Sequence, residues 1–429
     1  MSGQFRKVTK RVGIGTVVAI CCVLLVVSVG LVLAIKTPPS TGYGQLRNYS
    51  SQPETAWTVD SDTLPEYGQG DGITVAGRWL DRWLLSYPSG LGRAYLLVSA
   101  VSGKPLWDNP IRVGLGSCAL NDDGEVGCAV KLGEAANGFY LADLDSGKLG
   151  SVSNLDSTAQ VVGVGSNFLR VDEAGYRAML ATPSGAEIWT RTFASAMRAR
   201  FENRILILAG ADGTNAVVDT ATGGNRLRCT DCDINVYPSG ITLQHNTYGK
   251  QSVDFYATSD GALDTSNPTH RSGNIEVVRG ASTLPVLTGI GDATVQQTQG
   301  RYEIRDPAKP KALWAITDPE LSKANTRPCG TVVALARKDR SRAIYRLADG
   351  TSVGNIPGPD LDNPDANIDQ LTCVGSSEQT IVFANANQLT GFAVSDGTKW
   401  ELPIIGWAQN VDGYLVLHQG QSLSVLAPD

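Results

Sequence analysis

Histidine is almost missing from this sequence: His245, His270 and His418 are the only three among 429 residues. None stands in a metal-spaced pair such as His-x-x-x-His, and none accompanies a Gly-x-Ser-x-Gly nucleophile turn. The usual sequence marks of a zinc hydrolase and of a serine-triad enzyme are therefore absent, and the histidines read as ordinary packed or surface residues. A basic field is missing as well. The net charge is -6, and Lys and Arg are scattered, so no continuous positive surface is offered to a phosphate backbone and nucleic acid is excluded as a partner. Helical periodicity is scarce after Lys36, which excludes solenoids of helix pairs. The acidic stretch Gly358 to Asp369 carries Asp360, Asp362, Asp365 and Asp369, a calcium candidate by composition, but its spacing is not that of an EF-hand and Pro364 stiffens it. A solvated loop is the simpler reading, and no metal is assigned.

One long apolar run is present, Val12 to Ile35, without a single charge. At 1.5 Å per residue it is long enough for a hydrocarbon core of roughly 30 Å. Arg6, Lys7, Lys10 and Arg11 precede it and only Lys36 follows closely, which puts residues 1–11 in the cytoplasm, residues 12–35 across a membrane and the remainder outside. A cleaved signal peptide, cut near Val32-Leu33-Ala34, is the competing reading; typical signal cores hold about 7 to 15 apolar residues, fewer than here. Residues 36–54, rich in Pro, Ser, Gly and Thr, read as a flexible linker.

The rest, residues 55–429, repeats itself. "AVSGKPLW" at Ala100 to Trp107 returns as "AVSDGTKW" at Ala393 to Trp400. Between them the same phrase recurs in worn form, with turn glycines at Gly103, Gly147, Gly185, Gly223, Gly261, Gly350 and Gly397 and a degenerate copy, "YEIRDPAKPKALW", ending at Trp314. Alternating apolar residues make a half-buried strand, Asp or Ser begins a tight turn, Gly supplies the positive φ, and a second strand follows. Two further strand-like runs separate successive hairpins. Four strands in about 40 residues are the dimensions of a propeller blade.

The Asp/Ser-Gly-Lys/Thr-x-x-Trp hairpin resembles the repeat of the PQQ-like β-propeller family, which contains quinoprotein dehydrogenases and outer-membrane assembly lipoproteins. The resemblance implies an all-β propeller over residues 55–429, in which Trp57, Trp107, Trp189, Trp314 and Trp400 dock neighbouring blades. Thr55 to Asp60 is a Trp strand without predecessors, and the last residues stop before theirs, so both should share one closing blade. Eight internal hairpins and the closing blade would make nine. The family usually has seven or eight, so one hairpin around Ser272 to Thr317 reads as spurious and eight blades are expected, within a range of seven to nine.

Six cysteines follow the apolar run, an even number that suits an oxidising compartment and three disulfides. Cys118 and Cys128 flank a hairpin-like stretch, and Cys329 and Cys373 occupy early strands of consecutive repeats, so these pairs are favoured. Cys229 and Cys232, in "CTDC", read either as a redox-active pair or as a structural clip. Strand-like flanks favour the clip, because reactive pairs usually rest on a helix N-terminus. Quinoprotein enzymes of the resembled family close adjacent cysteines into a ring disulfide over their cofactor; the only adjacent pair here, Cys21 and Cys22, lies inside the apolar run. The expectation is thus no enzyme and no cofactor.

What remains is a noncatalytic, single-pass, membrane-anchored extracytoplasmic propeller of bacterial type, acting as a protein-binding scaffold in a cell-envelope assembly or transport complex with an envelope protein as partner. A ligand-, glycan- or ion-sensing ectodomain is the alternative, and a quinoprotein-type oxidoreductase comes third. Trp79, Trp83 and Tyr87 in "GRWLDRWLLSYPSG" form the candidate binding patch.

Overall fold

The computed structural model describes residues 42–429 except 71, 151–156, 248–249, 260–261, 290–299, 322–325 and 359–370. The expected membrane span at 12–35 and the acidic stretch holding Asp360, Asp362, Asp365 and Asp369 lie outside the described residues. Among the described residues no helix is long and apolar enough to cross a membrane.

Nine antiparallel sheets follow one another along the chain, at residues 74–114, 117–142, 158–192, 197–230, 232–273, 275–317, 327–356 and 372–403, with the ninth assembled from Trp407–Val411, Tyr414–Gln419, Ser422–Leu426 and Thr55–Asp60. We number them as blades 1 to 9. Strand order within each follows the sequence from the inside of the ring outwards, except that the outermost strand of blade 9 comes from the other end of the described chain. The register there is antiparallel, with Trp57 opposite Val425 and Val59 opposite Leu423. Blade 9 meets blade 1 through Arg78 and Asp412, 2.5 Å apart, and through His418, whose Nδ1–H donates to the Ile73 carbonyl at 2.8 Å. The ring is closed, and this radial repetition leaves only short, protected sheet edges.

Nine blades replace the eight expected. The stretch around Ser272 to Thr317 is a true blade, whose strands Ile275–Val277, Val286–Gly289, Arg301–Arg305 and Ala312–Thr317 pair in order. Its outer hairpin turns without glycine: Lys309 N–H donates to the Asp306 carbonyl at 2.9 Å and Ala308 N–H to the Asp306 carboxylate at 3.0 Å. A turn of this kind needs no positive φ, which is why the repeat looked eroded. Among the described residues blade 2 has three strands and a single bridge from Ala142 to Leu149 where a fourth would begin, while blade 5 carries an added strand, His270–Gly273.

Middle strands are more buried than alternation predicts. Val126–Val130 and Thr380–Ala384 are buried at every position, whereas the outer strand Lys399–Pro403 alternates between exposed and half-buried. A middle strand has a neighbouring blade on each face, so both sets of side chains leave water; only rim strands keep a wet face.

Residues 42–54 are also not the tether that their composition suggests. Leu46 N–H donates to Ser376 O at 2.8 Å and Arg47 N–H to Gly413 O at 2.9 Å, while Asn410 Nδ2 donates to Gln45 O at 2.7 Å. Tyr49 is fully buried among Val374, Leu389, Leu415 and Leu426. A Cβ on Gly44 would lie 2.5 Å from Ala281 O and 2.8 Å from Gly330 N, and the Tyr43 phenol is pushed up first by burial and then by the charge of Glu202. Blades 6 and 7 therefore press on Gly44, while blades 8 and 9 hold residues 45–47.

Candidate functional site

Four of the five repeat tryptophans share one arrangement. Trp57 Nε1–H donates to Ala100 O at 3.0 Å, Trp107 to Leu144 O at 2.8 Å, Trp189 to Thr220 O at 3.0 Å and Trp314 to Leu347 O at 2.8 Å. Each acceptor lies in the outer hairpin of the next blade. The ring then covers that hairpin's glycine: a Cβ on Gly103 would approach Trp57 to 2.5 Å, and one on Gly147 would approach Trp107 to 2.7 Å. Glycine is required there twice over, by contact and by its positive φ. The turn aspartates brace the same hairpins. Asp143 accepts from the Ser146 hydroxyl at 2.6 Å and from Ser146 N–H at 2.8 Å, and these bonds hold its carboxyl below the usual range.

Three disulfides link Cys118 to Cys128 within blade 2, Cys229 to Cys232 at the crossing from blade 4 to blade 5, and Cys329 to Cys373 between blades 7 and 8. Cys229 closes one strand and Cys232 opens the next, with no helix between them.

The aromatic patch expected at Trp79, Trp83 and Tyr87 is not a surface. Trp83 and Tyr87 are fully buried. Trp83 packs 5.8 Å from Trp57 and 5.9 Å from Tyr414 and donates to Asp412 Oδ2 at 3.2 Å, while Tyr87 stacks on Tyr67 and donates to Pro65 O at 3.0 Å. Trp79 is half-buried against Gly124 of blade 2. These rings serve the seams between blades, because a flat ring fills the gap between two sheets better than any aliphatic side chain.

The histidines are held in separate places. His418 stacks on Trp407 at 3.6 Å and is pushed down to about 4 by burial. His245 faces Asp254 at 3.3 Å, and that carboxylate is already gripped by Arg271 at 2.5 and 2.7 Å. His270 meets the Ser272 hydroxyl at 2.7 Å. Among the described residues no group of His, Cys, Asp and Glu could hold a metal ion.

Exposed apolar side chains collect elsewhere. Leu91, in the turn between the two middle strands of blade 1, is 97% exposed; Leu132, in the corresponding turn of blade 2, is 70% exposed; and Leu115, in the connection between the two blades, is 51% exposed. Leu115 N–H donates to Lys131 O at 2.8 Å, which sets Leu115 beside Leu132. Leu132 also adopts a φ of 55°, a conformation costly for a leucine, and its N–H is caught by Asn137 Oδ1 at 2.9 Å. Leu91 and Leu132 line a groove of about 610 Å³ between blades 1 and 2. At its rim Arg112 pairs with Glu134 at 3.0 Å and with Glu66, and these two partners raise its basicity, Glu134 first. Sequence reasoning passed over these leucines. Their one visible signal is a large apolar residue set among turn residues, as in "PSGLGR" and "VKLGEAANG", where a polar one costs nothing.

No protein-family model matches the chain, and no curated protein matches it in sequence. Among solved structures it is similar to BamB from Moraxella catarrhalis, at 12% identity and a TM-score of 0.42 over 87% of this chain and 99% of that one. It is also similar to the computationally designed Ika8 protein, at 12% identity and a TM-score of 0.42 over 83% of this chain and 97% of that one.

Proposed function

We propose that this protein is a noncatalytic scaffold that binds a partner protein at the groove between blades 1 and 2. The observation carrying this reading is the set of three exposed leucines around that groove. Exposed leucines are ordinary when scattered, but three on adjoining turns beside a hollow are the anatomy of an anchor site, with an apolar centre and a charged rim. The three disulfides support an extracytoplasmic setting, and the apolar run at 12–35 supports a membrane anchor holding the propeller at a cell envelope. A quinoprotein activity lacks its adjacent cysteines in the propeller.

Photocrosslinking of the full chain in its native membranes tests the scaffold reading. A photoreactive residue at Leu91 or Leu132 should capture one protein in stoichiometric amount, whereas the same residue at Arg346, in the outer hairpin of blade 7, should not. Leu115→Glu should reduce the capture at least tenfold. Equal capture from all three positions, or none from the groove, would sink the reading.

A further inference from the structure

A second hollow, of about 170 Å³, lies between blades 3 and 4. We propose that it binds a small monocarboxylate with an apolar body, held by Arg191 and Arg228. This goes beyond the scaffold reading and uses a different part of the ring.

Arg191 is the penultimate residue of the outer strand of blade 3 and is half-buried. Its Nη1 is pinned by two bonds of 2.8 Å, to Gly223 O and Asn225 Oδ1, and its guanidinium carbon sits 5.1 Å from the centre of the Phe193 ring. The guanidinium is therefore held in place, while its Nε and Nη2 have no hydrogen-bond partner among the described residues. Arg228, exposed on the outer strand of blade 4, lines the mouth of the same hollow. Neither arginine forms an ion pair among the described residues. Their neighbour Arg226 does: it grips Asp219 at 2.6 Å. Burial first, and the charge of Arg228 second, lower the basicity of Arg191. Two cations lining one hollow, neither within ion-pair distance of a described carboxylate, repel each other, and an anion placed between them removes that cost.

The remainder of the lining decides what kind of anion. Met197 and Leu208 are 3% exposed and Ala216 is 7% exposed, so the floor is apolar and would take an apolar body. Asp212 is the one carboxylate in the lining; it accepts from Thr214 N–H at 3.0 Å, and that bond keeps it charged. It penalises a second negative charge on a ligand. The volume is close to the roughly 150 Å³ of an apolar cavity that takes benzene. A fixed planar fork favours a carboxylate, which it can meet with parallel N–H bonds.

Calorimetry on the full chain with benzoate and with 4-methylpentanoate tests this, using benzamide, phthalate and inorganic phosphate as comparisons. We expect saturable binding of at least one monocarboxylate, at least tenfold weaker binding of benzamide and phthalate, and weakening as salt rises. Arg191→Gln and Arg228→Gln should each reduce the affinity at least fivefold. Arg346→Gln, on blade 7, should not. Because a substitution at Arg191 also removes bonds to blade 4, unchanged melting of Arg228→Gln keeps the comparison interpretable. Ala216→Leu, which fills the floor, should abolish binding with both arginines intact. Failure of both monocarboxylates to saturate, benzamide binding as tightly as benzoate, or full affinity in a folded Arg228→Gln protein would each overturn the proposal.

Discussion

Trp400 Nε1–H donates to the Tyr49 carbonyl at 2.9 Å, across 351 positions of sequence. Elsewhere the docking indole finds its acceptor in the outer hairpin of the next blade. Blade 9 has no such hairpin, because its outer two strands are Ser422–Leu426 and Thr55–Asp60, so residues 48–54 and 427–429 rebuild the corner from two separate pieces. Asp429 takes the part of the turn aspartate, accepting from Ser50 N–H, from the Ser50 hydroxyl at 2.6 Å and from the Ser51 hydroxyl at 2.8 Å. Asp429 N–H donates to Asn48 O at 3.0 Å, and Ala427 N–H to Glu54 O at 2.8 Å. The same recognition that docks a continuous hairpin thus closes the ring without a covalent connection.

Tyr49 should carry much of that closure. Its hydroxyl donates to Leu426 O at 3.1 Å and accepts from Leu415 N–H at 2.9 Å, both in a buried place. Tyr49→Phe strands a donor and an acceptor out of water and should cost about 1–3 kcal/mol. Tyr49→Ala adds a cavity and should cost roughly 3–5 kcal/mol. Equilibrium urea unfolding measures both. A loss under about 0.5 kcal/mol for Tyr49→Ala would mean that the segment merely rests on the ring.

Two glycines separate the contact from the backbone strain. Gly103 has a φ of 66° and lies under Trp57, whereas Gly165 has a φ of 58° and nothing within 4 Å of where a Cβ would stand. Alanine at either position should cost about 1 kcal/mol for its positive φ. At Gly103 the methyl must also displace the indole, adding about 1–3 kcal/mol. Thermal unfolding of the two variants should differ by that amount. Equal losses would show that the Trp57 ring shifts freely and that the docking contributes little.

Much of this architecture is legible in the sequence, for stated physical reasons. Gly103 and Trp57 each repeat because a flat ring over a bare backbone is a recurrent local solution, and such solutions leave a spaced pattern. The blade count was obscured where Asp306 to Lys309 turns without glycine. Residues 42–54 looked like a tether because composition counts large apolar residues, and here one tyrosine with a row of backbone bonds suffices. The groove was invisible because exposure of Leu91 and Leu132 depends on which turns two neighbouring blades bring side by side. Trp83 and Tyr87 failed as surface candidates for the converse reason, since aromatic residues near a turn can face the seam as easily as the solvent.

The remaining prediction concerns pH at the other seam of blade 9. His418 is 4% exposed, its Nδ1–H bonded to Ile73 O and its Nε2 left facing the Gln409 carboxamide at 3.2 Å. Burial lowers its pKa to about 4, from an ordinary value near 6.5. Between those two values the unfolded chain takes up a proton that the folded ring refuses, so stability falls as pH drops from about 6.5 to about 4 and changes no further on this account below that. The displacement corresponds to a loss on the order of 3 kcal/mol. His418→Gln keeps a donor for Ile73 but cannot titrate. Urea midpoints measured at pH 7.5, 5.5 and 4.5 should therefore fall less steeply for the variant than for the native protein. Parallel slopes would assign the acid sensitivity to other groups and leave His418 a packing residue alone.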